Sequence, residues 1–196
     1  MSEPDSPTPV VVTSFLRRWD QLENYTLQER SLSLLFQKLC PKNTEIEHVL
    51  LKVSALNDFY STNIFDTYTV AKHVLNLDVD SRLSSGDRSL VNMLAKVSFG
   101  QKTKNFYSFA SKYCSHHRPE HFPIYDSYVD KMLMHFGRVS GFASFRKADL
   151  KQYERFVEII GDFQRHFGLQ EFSLREIDIY LWLGGKKSFP AKYRQL

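Results

Sequence analysis

Cysteine is scarce in this sequence: Cys40 and Cys114 are the only two among 196 residues. Two cysteines cannot build the disulfide framework of a small secreted domain, so a reducing compartment is expected. No apolar run approaches the ~20 residues that a membrane-spanning helix needs. The opening stretch MSEPDSPTPVVV lacks the basic start and long apolar run of a secretory signal, and reads as a flexible tail over residues 1–12. A soluble, intracellular protein, placed in the cytoplasm and associated with no membrane, is the resulting expectation. Repeats and low-complexity blocks are absent, and alternating strand patterns are scarce. The stretch CSHHRPEH brings Cys114, His116, His117 and His121 close together, but its spacing matches no common structural zinc pattern. It reads as a histidine-rich loop facing DNA or solvent, and neither a metal nor a cofactor is expected.

Core material is plentiful. Hydrophobic residues make up 42% of the chain, and 16 Phe and 10 Tyr give it bulk enough to exclude a disordered polypeptide. The net charge of +4 is compatible with a polyanionic partner without requiring one. Helical periodicity dominates. Phe15, Leu16, Trp19 and Leu22 form one stripe, with Thr13 or Ser14 as N-cap. Ile46, Val49, Leu50, Val53 and Leu56 form another, opened by a capping box of Thr44 and Glu47. Later stripes run through Phe106, Phe109, Ala110 and Tyr113, then Tyr128 to Phe136 ending near Gly137, then a long helix from about Leu150. The last helix has Ser173 as N-cap and Gly184 as C-cap. An all-α fold follows: one domain over residues 13–196, two-lobed and compact, expected to be a monomer.

The segment SFGQKTKNFYSFASKYCSHHRPEHFPIYDSYV carries the candidate chemistry. A helix from Thr103 to His116 spans ~21 Å, and the nine steps from His117 to Asp126 reach at most ~30 Å. Pro119 and Pro123 keep that return extended. Lys102 and Asp126 can therefore share a site. A lysine at a helix N-terminus opposes the macrodipole, which favours the neutral, nucleophilic amine. Asp126 can accept its proton or stabilise developing positive charge. The structural alternative is a solvated Lys102 and an ordinary N-cap at Asp126. Lys112, inside the helix, is the second-choice nucleophile.

DRSLVNMLAKVSFGQKT resembles the helix–hairpin–helix of the endonuclease III superfamily of DNA glycosylases, with the hairpin motif over about residues 87–116. FASKY and PIYDSYV add similarity to the archaeal 8-oxoguanine glycosylase branch. The sequence departs from the family pattern at Ser98, where the first hairpin glycine stands, and at Val97, where a proline is usual. Its two cysteines exclude the four-cysteine iron–sulfur module of endonuclease III. The resemblance implies a glycosylase with AP-lyase activity on double-stranded DNA carrying 8-oxoguanine or another modified base. It makes Lys102 the Schiff-base nucleophile, Asp126 its partner and Asn57 the wedge into the duplex. Ser98, Gly100, Gln101 and Lys104 are then candidate phosphate contacts, and Lys186 and Lys187 add sequence-independent attraction. Tyr60 and Tyr125 are candidate base-stacking residues. A non-catalytic helix–hairpin–helix nucleic-acid-binding module is the alternative, and a partner-binding helical protein a third.

Overall fold

Helix signals in the sequence translate into ten α-helices and one two-stranded ribbon among residues 3–190, the part of the chain described by the computed structural model. The fold is all-α. It divides into two units: Glu23–Ile124 forms one, and the two chain ends, Met1–Leu22 with Tyr125–Leu196, form the other.

In the unit built from the chain ends, helix α1 (Pro9–Asp20) starts earlier than the periodicity predicts. Thr8 caps it by accepting from the Val11 amide, and Pro9 occupies the first turn, where a missing N–H costs nothing. Helix therefore reaches into the expected tail, and Val12 is buried. The Ser14 hydroxyl donates back to the Val11 carbonyl and caps nothing. Phe15 and Trp19 of α1 meet Tyr180 and Trp182 of α10 (Leu174–Ser188) edge to face, at 5.4 and 6.0 Å. The expected Ser173–Glu176 capping box is formed. The expected C-cap at Gly184 is not. Helix α10 continues to Ser188 because Gly184 and Gly185 lie inside its contact with α8 (Ser127–Ser140). A Cβ at Gly185 would sit 2.7 Å from Tyr128 Cβ, so these glycines allow close approach and do not end the helix. Helix α8 likewise passes Gly137 and ends at Gly141, which takes φ +63°. Helix α9 (Tyr153–His166) brings Phe163 against Phe136, Phe142 and Phe167.

In the unit Glu23–Ile124, α2 (Glu23–Leu34) runs into a π-helical turn, Leu35–Leu39. Helix α3 (Ile46–Tyr60) has Glu45 at its N-cap and no side-chain cap, so the expected Thr44–Glu47 box is absent. Short helices α4 (Thr67–Asn76), α5 (Val79–Ser85) and α6 (Ser89–Ala95) lead to β1 (Lys96–Phe99) and β2 (Lys102–Asn105). The strands pair antiparallel, with Phe99 opposite Lys102. That register leaves a two-residue turn whose first position, Gly100, has φ +60°, as the II′ type of hairpin requires. Helix α7 (Tyr107–His117) then packs against α3, α6 and the π-helical turn, with nine of its residues buried.

Candidate active site

The ribbon changes the premise on which Lys102 was chosen. The expected helix from Thr103 is instead strand β2, and α7 begins only at Tyr107. The Phe106 amide donates to the Ala95 carbonyl at 2.8 Å, closing the ribbon and deferring the helix. β-branched Thr103 suits a strand better than a helix start. Lys102 is exposed on β2, five residues before the helix, so the macrodipole gives its amine no help. Ser98, Gly100, Gln101 and Lys104 are exposed on the same ribbon, while Val97 is fully buried beneath it. Lys104 lies over the Phe99 ring at 5.4 Å. No neighbour comes within 4 Å of where a Gly100 Cβ would stand, so the glycine serves the turn and leaves the hairpin tip open.

Lys112 is the lysine that α7 buries. It is 3% exposed, and its amine donates to Ser108 Oγ one turn back at 2.6 Å. The same amine stands 5.1 Å from the Tyr60 ring centroid, within cation–π range. Tyr60, expected to stack on a base, hydrogen-bonds His116 Nε2 through its hydroxyl at 3.0 Å. His116 and His117 are the last turn of α7 and not a loop. Both rings pack on Phe36, at 5.5 and 4.9 Å. Burial, helped by the Lys52 charge, pushes the pKa of His117 well below its usual range and keeps the ring neutral.

Lys52 of α3 is the functional-looking group that sequence reasoning missed. It is fully buried, and its amine donates to the carbonyls of Cys40 and Lys42 and to Asn43 Oδ1, at 3.1, 2.9 and 2.5 Å. His117 Nε2 is 3.3 Å away. Tyr113 also donates to Asn43 Oδ1, and the Asn43 amide group donates to Asp80 at 2.6 Å. Desolvation lowers the Lys52 pKa to about 8, with Asp80 pulling the other way. Cys114 is buried nearby, and burial pushes its thiol pKa far up, leaving it a packing residue. Among the described residues no group of three or more His, Cys, Asp or Glu is placed to hold a metal ion.

Asp126 opens α8 in the other unit. Its Oδ1 accepts from the Tyr128 amide at 2.8 Å, a helix N-cap. The segment leading to it is not a solvated loop, since Phe122, Pro123, Ile124 and Tyr125 are all buried. Tyr125 donates to Asp130 Oδ2 at 2.6 Å, and the Lys151 amine lies 4.0 Å over its ring, so this tyrosine already has a partner on its face.

Residues 11–121 match the family model described as the HI_0787_N N-terminal domain. The chain belongs to that family. An uncharacterized protein of Haemophilus influenzae is 52% identical over 149 residues, covering 76% of this chain and 71% of that protein. No solved structure matches. The HI_0787_N match takes in Lys52, Lys102 and Lys112 and stops short of Tyr125 and Asp126.

Three other candidate DNA contacts in this HI_0787_N chain have jobs within the protein. Asn57 donates to the Ile64 carbonyl and accepts from Thr62 Oγ1 and the Ile64 amide, all at 2.9 Å. These bonds clamp the turn after α3, where Ser61 and Asn63 take positive φ. A wedge role would have to break all three bonds. The side chain that this turn exposes is Phe65, at 91%. Lys187 pairs with Asp5 at 2.7 Å, and Lys186 lies 4.5 Å over the Trp182 ring; both are in the last turn of α10. No helix among the described residues is long and apolar enough to cross a membrane.

Proposed function

We propose that the chain is a DNA base-excision glycosylase with associated AP-lyase activity, and that Lys112 is its nucleophile in preference to Lys102. One observation carries the preference: the Lys112 amine is withdrawn from water on α7, directly after the hairpin, whereas Lys102 is a solvated strand residue. An amine drawn out of bulk water, with the Ser108 hydroxyl and the Tyr60 ring among its contacts, is the better placed of the two to attack carbon. The chemistry follows from the lysine. Its nitrogen bonds the sugar C1′ as the glycosidic bond breaks and the base departs with a proton. The ring-opened Schiff base then loses a C2′ proton and expels the 3′ phosphate. Asp126 is the carboxylate that the resemblance supplies for proton transfer, and 8-oxoguanine or another modified base in a duplex is the substrate class.

Borohydride trapping on duplexes carrying an abasic site or 8-oxoguanine tests this reading. Wild type and Lys102→Ala should give a covalent band that Lys112→Met lacks, with helical content unchanged by circular dichroism. Asp126→Asn should retain DNA binding and lower the trapping rate by roughly a hundredfold or more. A band that survives Lys112→Met removes Lys112 from the mechanism. No band on any substrate removes the lyase.

A specific observation favours a second reading, a non-catalytic nucleic-acid-binding module. Lys96, Lys102 and Lys104 all project from one exposed ribbon with an open glycine tip. Phosphate contacts by these lysines make binding salt-dependent, and each Lys→Gln change should reduce the slope of log K against log salt by about 1. That slope together with a failed trapping experiment identifies the module.

A further inference from the structure

The outer face of α8 forms one wall of an open cavity of about 580 Å3, bounded by Ala143, Phe145 and Lys147 and by Phe189 after α10. All of it lies in the unit made by the chain ends. Its volume is in the range of small-molecule pockets, roughly 300–1,000 Å3. The charge along it is one-sided. Lys131, Arg138 and Lys147 line it together with the His135 ring, against one lining carboxylate, Asp130; Glu3 acts on His135 from outside the lining. Asp130 is 4% exposed and already engaged, accepting from Tyr125 at 2.6 Å and standing 3.8 Å from Lys147. Lys131 and Arg138 occur at i and i+7 on α8, two turns apart on one face, and both are exposed at the rim.

The apolar part is aromatic. Phe145 and Phe189 line the cavity half-buried, and the His135 ring stands 6.2 Å from Phe189. Gly137 is what lets Phe145 lie down on α8: a Cβ there would stand 3.0 Å from two atoms of the ring. A cationic rim beside a planar floor calls for a ligand with an anionic end and a flat end. Arginine's forked guanidinium suits the oxygens of a phosphate, and phenylalanine faces suit a base. We propose that this cavity binds a free nucleoside monophosphate, with its phosphate on the Lys131–Arg138 rim and its base against Phe145 and Phe189. One nucleotide fits the cavity's volume, which is why the free compound is favoured over a strand. The inference does not rest on the glycosylase reading, and trapping experiments leave it untouched.

Calorimetric titration of the full chain with AMP, adenosine, inorganic phosphate and a single-stranded oligonucleotide tests it. AMP should bind saturably at submillimolar concentration, and adenosine and phosphate each at least roughly tenfold more weakly. Arg138→Gln and Lys131→Gln, both at exposed positions, should weaken AMP by roughly tenfold or more. Gly137→Ala, which displaces the Phe145 ring without changing charge, should weaken AMP while leaving phosphate unaffected. The proposal is overturned by any of three results: no saturation with AMP, AMP affinity equal in wild type and Arg138→Gln, or binding confined to a single-stranded oligonucleotide.

Discussion

The amine of Lys52 ties three stretches of chain together: α3, which carries it, the end of the π-helical turn at Cys40, and the turn at Lys42 and Asn43. Two of its acceptors are backbone carbonyls, and an orphaned buried carbonyl costs about 1–3 kcal/mol. Removing the amine also removes the cost of burying a cation, which opposes that loss. Which effect wins depends on pH. The folded pKa of about 8 lies below the unfolded value of 10.5, so between those limits the unfolded chain binds more protons and stability rises with pH. Lys52→Met should therefore be destabilised relative to wild type, with the gap in urea midpoints widening as pH goes from 8 to 10.5. A constant gap would mean that Lys52 is not desolvated in solution. The residue was legible in principle: Lys52 falls three after Val49 and four before Leu56, squarely on the apolar stripe of α3. Periodicity counts apolar positions and passes over a lysine among them. Lys112 lies on a helix buried on nearly every side, where a single apolar stripe is a poor guide to which residues are inside.

Between elements, the contact of α8 with α10 separates two adjacent glycines. A Cβ at Gly184 would meet the Met132 methyl at 2.7 Å, the mobile end of a flexible side chain. At Gly185 it would meet Tyr128 Cβ at 2.7 Å and the Tyr128 carbonyl oxygen at 2.9 Å, and backbone cannot step aside without moving a helix. Alanine also gains about 1 kcal/mol of helix propensity over glycine. Gly184→Ala should thus be within about 1 kcal/mol of wild type, while Gly185→Ala should cost about 2–3 kcal/mol through overpacking. Thermal unfolding of the two variants checks this, and equal losses would place the tight approach elsewhere. Element type was well marked in the sequence by stripes and breakers, which is why the all-α class and most helices were readable. Boundaries were readable only where a cap acts locally, as at Ser173. Glycine is ambiguous without its neighbours: Gly141 ends α8, Gly100 turns the ribbon, and Gly184–Gly185 continue α10. The β ribbon escaped notice because KVSF and KTKN are four residues each, too short for alternation to stand out.

For the molecule as a whole, the candidate chemistry is spread over both units, and so are the groups that set stability. His117 belongs to the unit Glu23–Ile124 and is held neutral by burial and by Lys52. Its folded pKa lies well below the unfolded value of 6.5, so its contribution is complete above pH 6.5 and is lost as pH falls below it. The loss is at most about 1.4 kcal/mol per pH unit for one proton. His135, in the other unit, shifts the same way through burial and Arg138, with Glu3 opposing, but its surroundings are more open and its share is smaller. The two tryptophans, Trp19 and Trp182, both report on the unit made by the chain ends, whereas helical circular dichroism reports on both units. Between pH 6.5 and 4.5 the denaturation midpoint read by circular dichroism should fall in wild type, and His117→Phe should flatten that fall far more than His135→Gln does. Equal slopes in wild type and His117→Phe would mean that water reaches the end of α7. The packing of His117 on Phe36, and the closed environment of the lysine network beside it, would then have to be redrawn.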